Sequence, residues 1–198
     1  MGKQYTIVRT GPETGAAGIP EAILDRILWE PDCGVRAKGT IRHDGLNLYV
    51  RLHAKEKDIR AEYVYLPAPV HEDSCLEFFF MPEGETRYMN FEINPNGCLH
   101  LGFGPDRRNR GNILPPDPRE TFRIRTGRTE DGWEAEYRIP VGFLRQYYPS
   151  FECRGILRAN LYKCGDKTVH PHYLAWNPVD TPAPDYHRPE CFGEMMFG

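Results

Sequence analysis

The feature that most constrains this chain is strict alternation of apolar and polar residues, in short paired runs joined by tight turns. Residues 46–53, Leu-Asn-Leu-Tyr-Val-Arg-Leu-His, set Leu46, Leu48, Val50 and Leu52 on one side of an extended chain and polar groups on the other. A helix would scatter those leucines around its axis, so period two predicts a strand with one buried face. Residues 35–41 alternate likewise, and His43-Asp-Gly45 turns the chain between the two runs, which makes a hairpin. Residues 122–125 and 133–139 repeat the pattern across Glu130-Asp-Gly132, with Trp133, Ala135, Tyr137 and Ile139 inward. Pro140 suits a first helical position and opens one or two helical turns within 141–148. Residues 157–162 return to alternation with Leu157, Ala159 and Leu161 inward.

Between these hairpins, residues 73–103 read as a three-stranded meander over 75–81, 88–94 and 98–103. Pro95-Asn-Gly97 is a three-residue hairpin loop with glycine where a left-handed residue is needed, so Asn94 lies opposite Cys98 and Glu92 opposite His100. If Met89, Phe91 and Ile93 share the core face with Phe78 and Phe80, then Glu77 joins Asn90, Glu92 and Asn94 on the other face. A row Glu77, Glu92, His100 then crosses three neighbouring strands. The fold expected is all-β: an antiparallel two-sheet β-sandwich, jelly-roll-like, with one or two short helical turns, forming one domain over 1–198 with its core from about residue 20. Glycine (19) and proline (18) are plentiful, as many turns require. Leu48, Val50, Phe78, Phe80, Phe91, Ile93, Trp133, Tyr137, Ile139 and Leu161 are the predicted core.

Charge narrows the partners. With 27% charged residues and a net charge of -3, the chain is no nucleic-acid polycation, and small neutral ligands suit it. Arg107-Arg-Asn-Arg110 reads as a solvated loop. The most apolar run, 75–81, is broken by Glu77 and falls far short of the roughly 20 residues that span a bilayer, so no membrane segment is expected. The start at Met1 has no apolar leader region, so the chain as written reads as cytoplasmic; removal of a leader from a longer precursor would make it secreted. Six cysteines, widely spaced and without a C-x-x-C pair, are expected to stay free thiols.

The polar face carrying Tyr88, Asn90, Glu92, Asn94, Glu77 and His100 offers fixed donors and acceptors for hydroxyls beside aromatic surface, which is what a sugar site needs. An ordinary solvated sheet face has the same residue types, but Phe79 falls among them and makes its strand apolar on both sides. Arg158, Asn160 and Tyr162 alternate with buried neighbours and can join this face. Trp176 stands just ahead of a proline-rich loop, 178–189.

These stretches also resemble a known family. His71-Glu-Asp-Ser-Cys-Leu-Glu-Phe-Phe-Phe80, Tyr88-Met-Asn-Phe-Glu-Ile-Asn-Pro-Asn-Gly97, Trp176-Asn-Pro178 and Pro189-Glu-Cys-Phe-Gly193 look like carbohydrate-binding module family 9, a DOMON-like sandwich fold. Asn47-Leu-Tyr-Val50 and Gly132-Trp-Glu-Ala-Glu136 fit the same order, so the likeness spans roughly residues 20–198. The resemblance implies non-catalytic carbohydrate binding between two tryptophans, with no cofactor apart from structural calcium in some members. It implies that Trp176 is one of the two tryptophans and Glu77 a polar site residue. His71 stands just before the Glu72-Asp-Ser74 motif, where the second tryptophan is missing, and Glu92 stands where the family has a site arginine. Either the platform is one-sided and binds monosaccharides more weakly, or Tyr65 or Tyr186 from a neighbouring loop replaces the lost ring. The ligand-binding set expected is Trp176, Glu77, Glu92, Arg158, Asn160, His71, His100, Asn94 and Tyr88.

Three alternatives use the same residues differently. Glu77 and Glu92 form an acid pair of the kind a glycoside hydrolase uses. Met81, Met89 and His100 are candidate axial ligands for a haem-binding, DOMON-like electron-transfer domain. His170-Pro-His172 offers two imidazoles to a metal, with His100 or a glutamate as third ligand.

Overall fold

The computed structural model describes residues 2–11 and 18–198, so the leaderless start read from Met1 lies in part outside the described residues. The chain is all-β. The first strands are β1 (Gln4–Arg9), β2 (Ala22–Leu24), β3 (Arg26–Leu28), β4 (Arg36–His43) and β5 (Asn47–Lys55). The expected meander follows as β6 (Cys75–Pro82), β7 (Tyr88–Ile93) and β8 (Leu99–Gly104), then β9 (Gly111–Asn112). Helix α1 (Pro118–Phe122) precedes the hairpin of β10 (Arg125–Arg128) and β11 (Gly132–Pro140), and α2 (Val141–Leu144) follows it. The chain ends in β12 (Ile156–Cys164), β13 (Tyr173–Ala175) and β14 (Gly193–Phe197). No helix among the described residues is long and apolar enough to cross a membrane.

The expected pair of separate antiparallel sheets is replaced by one mixed, curled sheet. Its order is β10-β11-β5-β4-β1-β14-β12-β6-β7-β8-β9. β1 makes the join: Gln4 to Ile7 run parallel to β14, and Val8 and Arg9 run parallel to β4. All other pairings are antiparallel. The curl brings the two ends of the sheet face to face, and Phe91 of β7 stacks on Tyr137 of β11 with ring centroids 5.7 Å apart. All ten residues of the predicted core are buried there.

Two expected details are corrected. Leu46 is 75% exposed, because the Asp44 carboxylate accepts the Leu46 and Asn47 amides, both at 2.7 Å, and the turn lasts one residue longer than the alternation implies. Residues 118–122 are helical where alternation from Phe122 predicted a strand. Asp117 caps that helix through the Glu120 amide at 2.9 Å, and Pro118 sits in its first turn, so local capping outweighs period two. Phe122 still reaches the core, edge-on to Phe91.

Phe79 is explained by a second apolar cluster on the outer face of β6, β7 and β12, where Phe79, Tyr88 and Tyr162 are covered by Val70, Tyr186 and Phe192 from long loops. Close backbone packing elsewhere gives a direct test. A Cβ on Gly132 would fall against the carbonyl oxygen of Ala54, well inside contact distance. Gly132→Ala should therefore destabilise the fold by about 1–3 kcal/mol in chemical denaturation, the usual cost of overpacking; an unchanged midpoint would show that the β5–β11 pairing yields freely.

Candidate functional site

The loops that cover the outer face of β6 and β7 leave a cavity of about 590 Å³ over the middle of these strands. The register places the predicted row there: Glu77 pairs with Glu92, and Glu92 with His100. His71, from the single helical turn Val70–Glu72, stands on the wall beside them. Both glutamates are buried. Burial pushes the Glu77 carboxyl well above the usual carboxylate range, and the neighbouring Glu92 charge adds to the effect. Burial likewise raises Glu92, although Asn90 Nδ2 donates to it at 2.5 Å. His100 is lowered by burial and then by Arg110.

Tyr88 lies behind the wall. Its hydroxyl donates to His187 Nδ1 at 2.9 Å, and Arg110 Nη1 donates to the same nitrogen at 2.6 Å. An imidazole nitrogen that accepts from a guanidinium carries no proton, and burial together with Arg110 depresses His187 to about 3. His187 is thus a neutral imidazole whose other nitrogen is free to donate. Arg110 Nη2 and Asn90 Oδ1 have no partner among the described residues. Both stand 2.6 Å from where a Cβ on Gly102 would be, so the missing side chain at Gly102 leaves space for them in the cavity wall.

Four expected site residues lie elsewhere. Trp176 is 3% exposed and sits in the main core, its ring edge-on to Tyr5 at 6.5 Å. Period two accounts for this: Leu174 and Trp176 face the core, while Tyr173 and Ala175 face outward. Asn160 is spent on the chain after β13, accepting from the Asn177 amide at 2.8 Å and donating to its carbonyl at 2.9 Å. Arg158 donates to the Pro189 carbonyl at 2.9 Å. Asn94 donates to Asp73 at 2.9 Å and to the Tyr63 carbonyl at 2.8 Å, pinning the loop that precedes β6.

Other residues take their place. Trp29, just after β3, lines the cavity with Phe79, Tyr173 and Tyr186. Its indole N–H donates to the Thr181 carbonyl at 2.8 Å, and its ring lies 5.3–5.4 Å from those of Tyr186 and Tyr173. It adopts φ 56, a left-handed conformation in which bulky residues are rare and which often marks functional positions. Its only sequence signal is an aromatic in a turn-rich loop just before Pro31. Of the expected substitute rings, Tyr186 lines the cavity and Tyr65 does not. Arg107 and Arg110, expected in solvent, also line it.

The alternative ligand sets do not assemble. Met89 belongs to the inner core whereas His100 lines the outer cavity, so they lie on opposite faces of the sheet. Met81 lies on the outer face, but it is at the Tyr88 end of β6, far along the strands from His100. His172 is committed: Nδ1 donates to the His170 carbonyl at 2.8 Å, and Nε2 accepts from Lys163 at 2.7 Å.

A curled all-β sheet with a half-covered cavity of aromatics, acids and imidazoles defines a small-molecule-binding module. The chain belongs to carbohydrate-binding family 9, whose model matches residues 16–197. It is similar over 100% of both chains, at 28% identity and a TM-score of 0.87, to the structure of a "putative carbohydrate-binding protein" from Bacteroides uniformis ATCC 8492. A carbohydrate-binding module family 9 from Caldicellulosiruptor kristjanssonii in complex with cellotriose shares the fold at 13% identity and a TM-score of 0.67, over 98% of this chain and 93% of that one. The same module in complex with glucose aligns at 13% identity and a TM-score of 0.67, over 99% and 96%. Comparison with curated proteins finds no match.

Calcium, implied for some family members, takes six to eight oxygen ligands. Among the described residues, the one cluster of three ligand side chains close enough to share an ion is Cys75, Glu77 and Cys164, and its two sulfurs do not fit calcium.

Proposed function

We propose that the chain binds a sugar or glycan end in this cavity without cleaving it, with Trp29 as the aromatic platform and Glu77, Glu92, His100 and His187 as hydrogen-bond partners for hydroxyls. The observation that carries this reading is the convergence of an aromatic wall and the Glu77, Glu92, His100 row on one cavity of about 590 Å³, within the usual range for small-molecule sites. Arg110 Nη2 adds unused hydrogen-bonding capacity in the same wall, with Asn90 Oδ1 beside it behind Gly102. Membership of a carbohydrate-binding family supports the ligand class. The non-catalytic part rests on the carboxyls. A glycosidase pair needs one acid and one carboxylate on either side of the scissile bond, whereas Glu77 and Glu92 stand side by side on one rung of adjacent strands, on one wall of the cavity, and burial raises both. Such groups donate and accept at hydroxyls.

The test is Trp29→Ala with a glycan array, followed by titration of glucose and cello-oligosaccharides. Loss of the platform should weaken binding by about 1–3 kcal/mol, roughly five- to more than hundred-fold, with a smaller change in melting temperature than a core truncation causes, because Trp29 is half-buried at the edge of the outer apolar cluster. A folded Trp29→Ala chain that binds as tightly as the parent would remove Trp29 from the site, and a parent that binds no glycan would end the reading.

A further inference from the structure

We propose that Cys75, Cys164 and Glu77 form a binding site for a thiophilic divalent metal of the zinc class, with one coordination position open to the cavity. Strand register builds the site. Cys75 and Cys164 pair directly across β6 and β12, and Glu77 lies two residues beyond Cys75 on the same face. Side chains at such positions converge, and the three ligand atoms lie within 4.8 Å of one another. A tetrahedral zinc ion, with bonds of about 2.0–2.3 Å, holds its ligand atoms about 3.3–3.8 Å apart, so small side-chain rotations close the site. Cys164 Sγ already stands 2.9 Å from Glu77 Oε1.

Neither thiol is committed elsewhere. The two thiols hydrogen-bond each other, and outside the site Cys164 makes only a 3.6 Å approach to the His71 carbonyl and Cys75 one of 4.0 Å to the Leu76 carbonyl. All three residues are buried, while Cys164 and Glu77 line the cavity. An ion there has protein on three sides and cavity on the fourth, the pattern of zinc sites that keep a position for an outside ligand. Two sulfurs and one carboxylate select a borderline or soft metal over calcium or magnesium. Two central strands hold all three donors, which provides the rigidity such a site needs. The inference goes beyond sugar binding and does not rest on it.

The test uses the full chain, reduced and freed of metal by a chelator, titrated with zinc and with cobalt in the absence of any glycan. One equivalent should bind. The cobalt complex should show thiolate charge-transfer and tetrahedral ligand-field bands, and zinc-edge X-ray absorption should show two sulfurs at about 2.3 Å. Cys164→Ser and Glu77→Gln should each weaken zinc binding at least about 10- to 100-fold, and Cys33→Ser, at an exposed thiol, should not change it. Absence of stoichiometric binding, a shell of nitrogen and oxygen alone, or unchanged affinity in Cys164→Ser would each overturn the proposal. If Cys164→Ser fails to fold, X-ray absorption on the parent chain still decides.

Discussion

Trp176→Ala should lose about 3–5 kcal/mol of folding stability while the fraction that stays folded binds sugar as the parent does. The indole is enclosed by the main core, with Tyr5 at its edge and Gly193 packed so closely that a Cβ there would fall 2.6 Å from its six-membered ring. Truncation therefore leaves a cavity that this β-sheet packing closes only in part. In a chain of this size the loss corresponds to a fall in melting temperature of roughly 6–20 °C. Thermal melting and glycan titration of the same sample check it. A stable Trp176→Ala chain with lost binding would return Trp176 to the site and displace Trp29. The two tryptophan substitutions are thus a matched pair, one acting on stability and the other on affinity.

Glu56→Ala should cost a comparable 3–5 kcal/mol, because it strands a buried cation. Lys163 is 0% exposed. Its ammonium is satisfied by the Cys164 carbonyl at 2.8 Å, His172 Nε2 at 2.7 Å and Glu56 at 3.2 Å. Glu56 also accepts from Ser74 at 2.7 Å and from the Trp133 indole at 3.0 Å, so its removal leaves three donors unpaired. The double variant Glu56→Leu/Lys163→Met should recover part of the loss, since removing both charges costs less than isolating one. A double variant no more stable than Glu56→Ala alone would show that packing, not the stranded charge, sets the cost.

The same network makes the fold acid-sensitive. Burial, and then Lys163, depress His172 from 6.5 to about 4. An unfolded chain protonates this imidazole near pH 6.5 while the folded chain refuses the proton until about pH 4, so the unfolded state binds more protons across that window. Stability should fall as pH drops from about 6.5 to 4, by up to about 3 kcal/mol from His172. His187, held at about 3, acts in the same direction and extends the loss to lower pH. Glu77 and Glu92, raised by burial, act in the opposite direction above pH 4.5, so urea denaturation of a Glu77→Gln/Glu92→Gln chain across this range isolates the slope, and a flat profile there would contradict the neutral state assigned to both rings.

Much of this was written in local pattern. Alternation over 47–55 and 132–140 dictates two strands and the face each one buries, because a side chain on an extended backbone has only two directions to take. Pro95-Asn-Gly97 dictates the β7–β8 register, and with it the meeting of Glu92 and His100. The family motifs located the fold correctly, while Trp176, which the resemblance implied as a site residue, lies in the main core.

Alternation separates two faces without saying which one the rest of the molecule covers, and Leu174, buried beside Trp176, shows which side β13 turns inward. The closure of the sheet through β1 depends on two parallel pairings, one of them with a strand near the other end of the chain, and six residues hold no record of such partners. Trp29 became part of a cavity because loops from residues 67–71 and 184–187 fold over β6 and β7. The meeting of Cys75 with Cys164 depends on the β6–β12 register, since residues 89 positions apart become neighbours only when long-range hydrogen bonding aligns their strands.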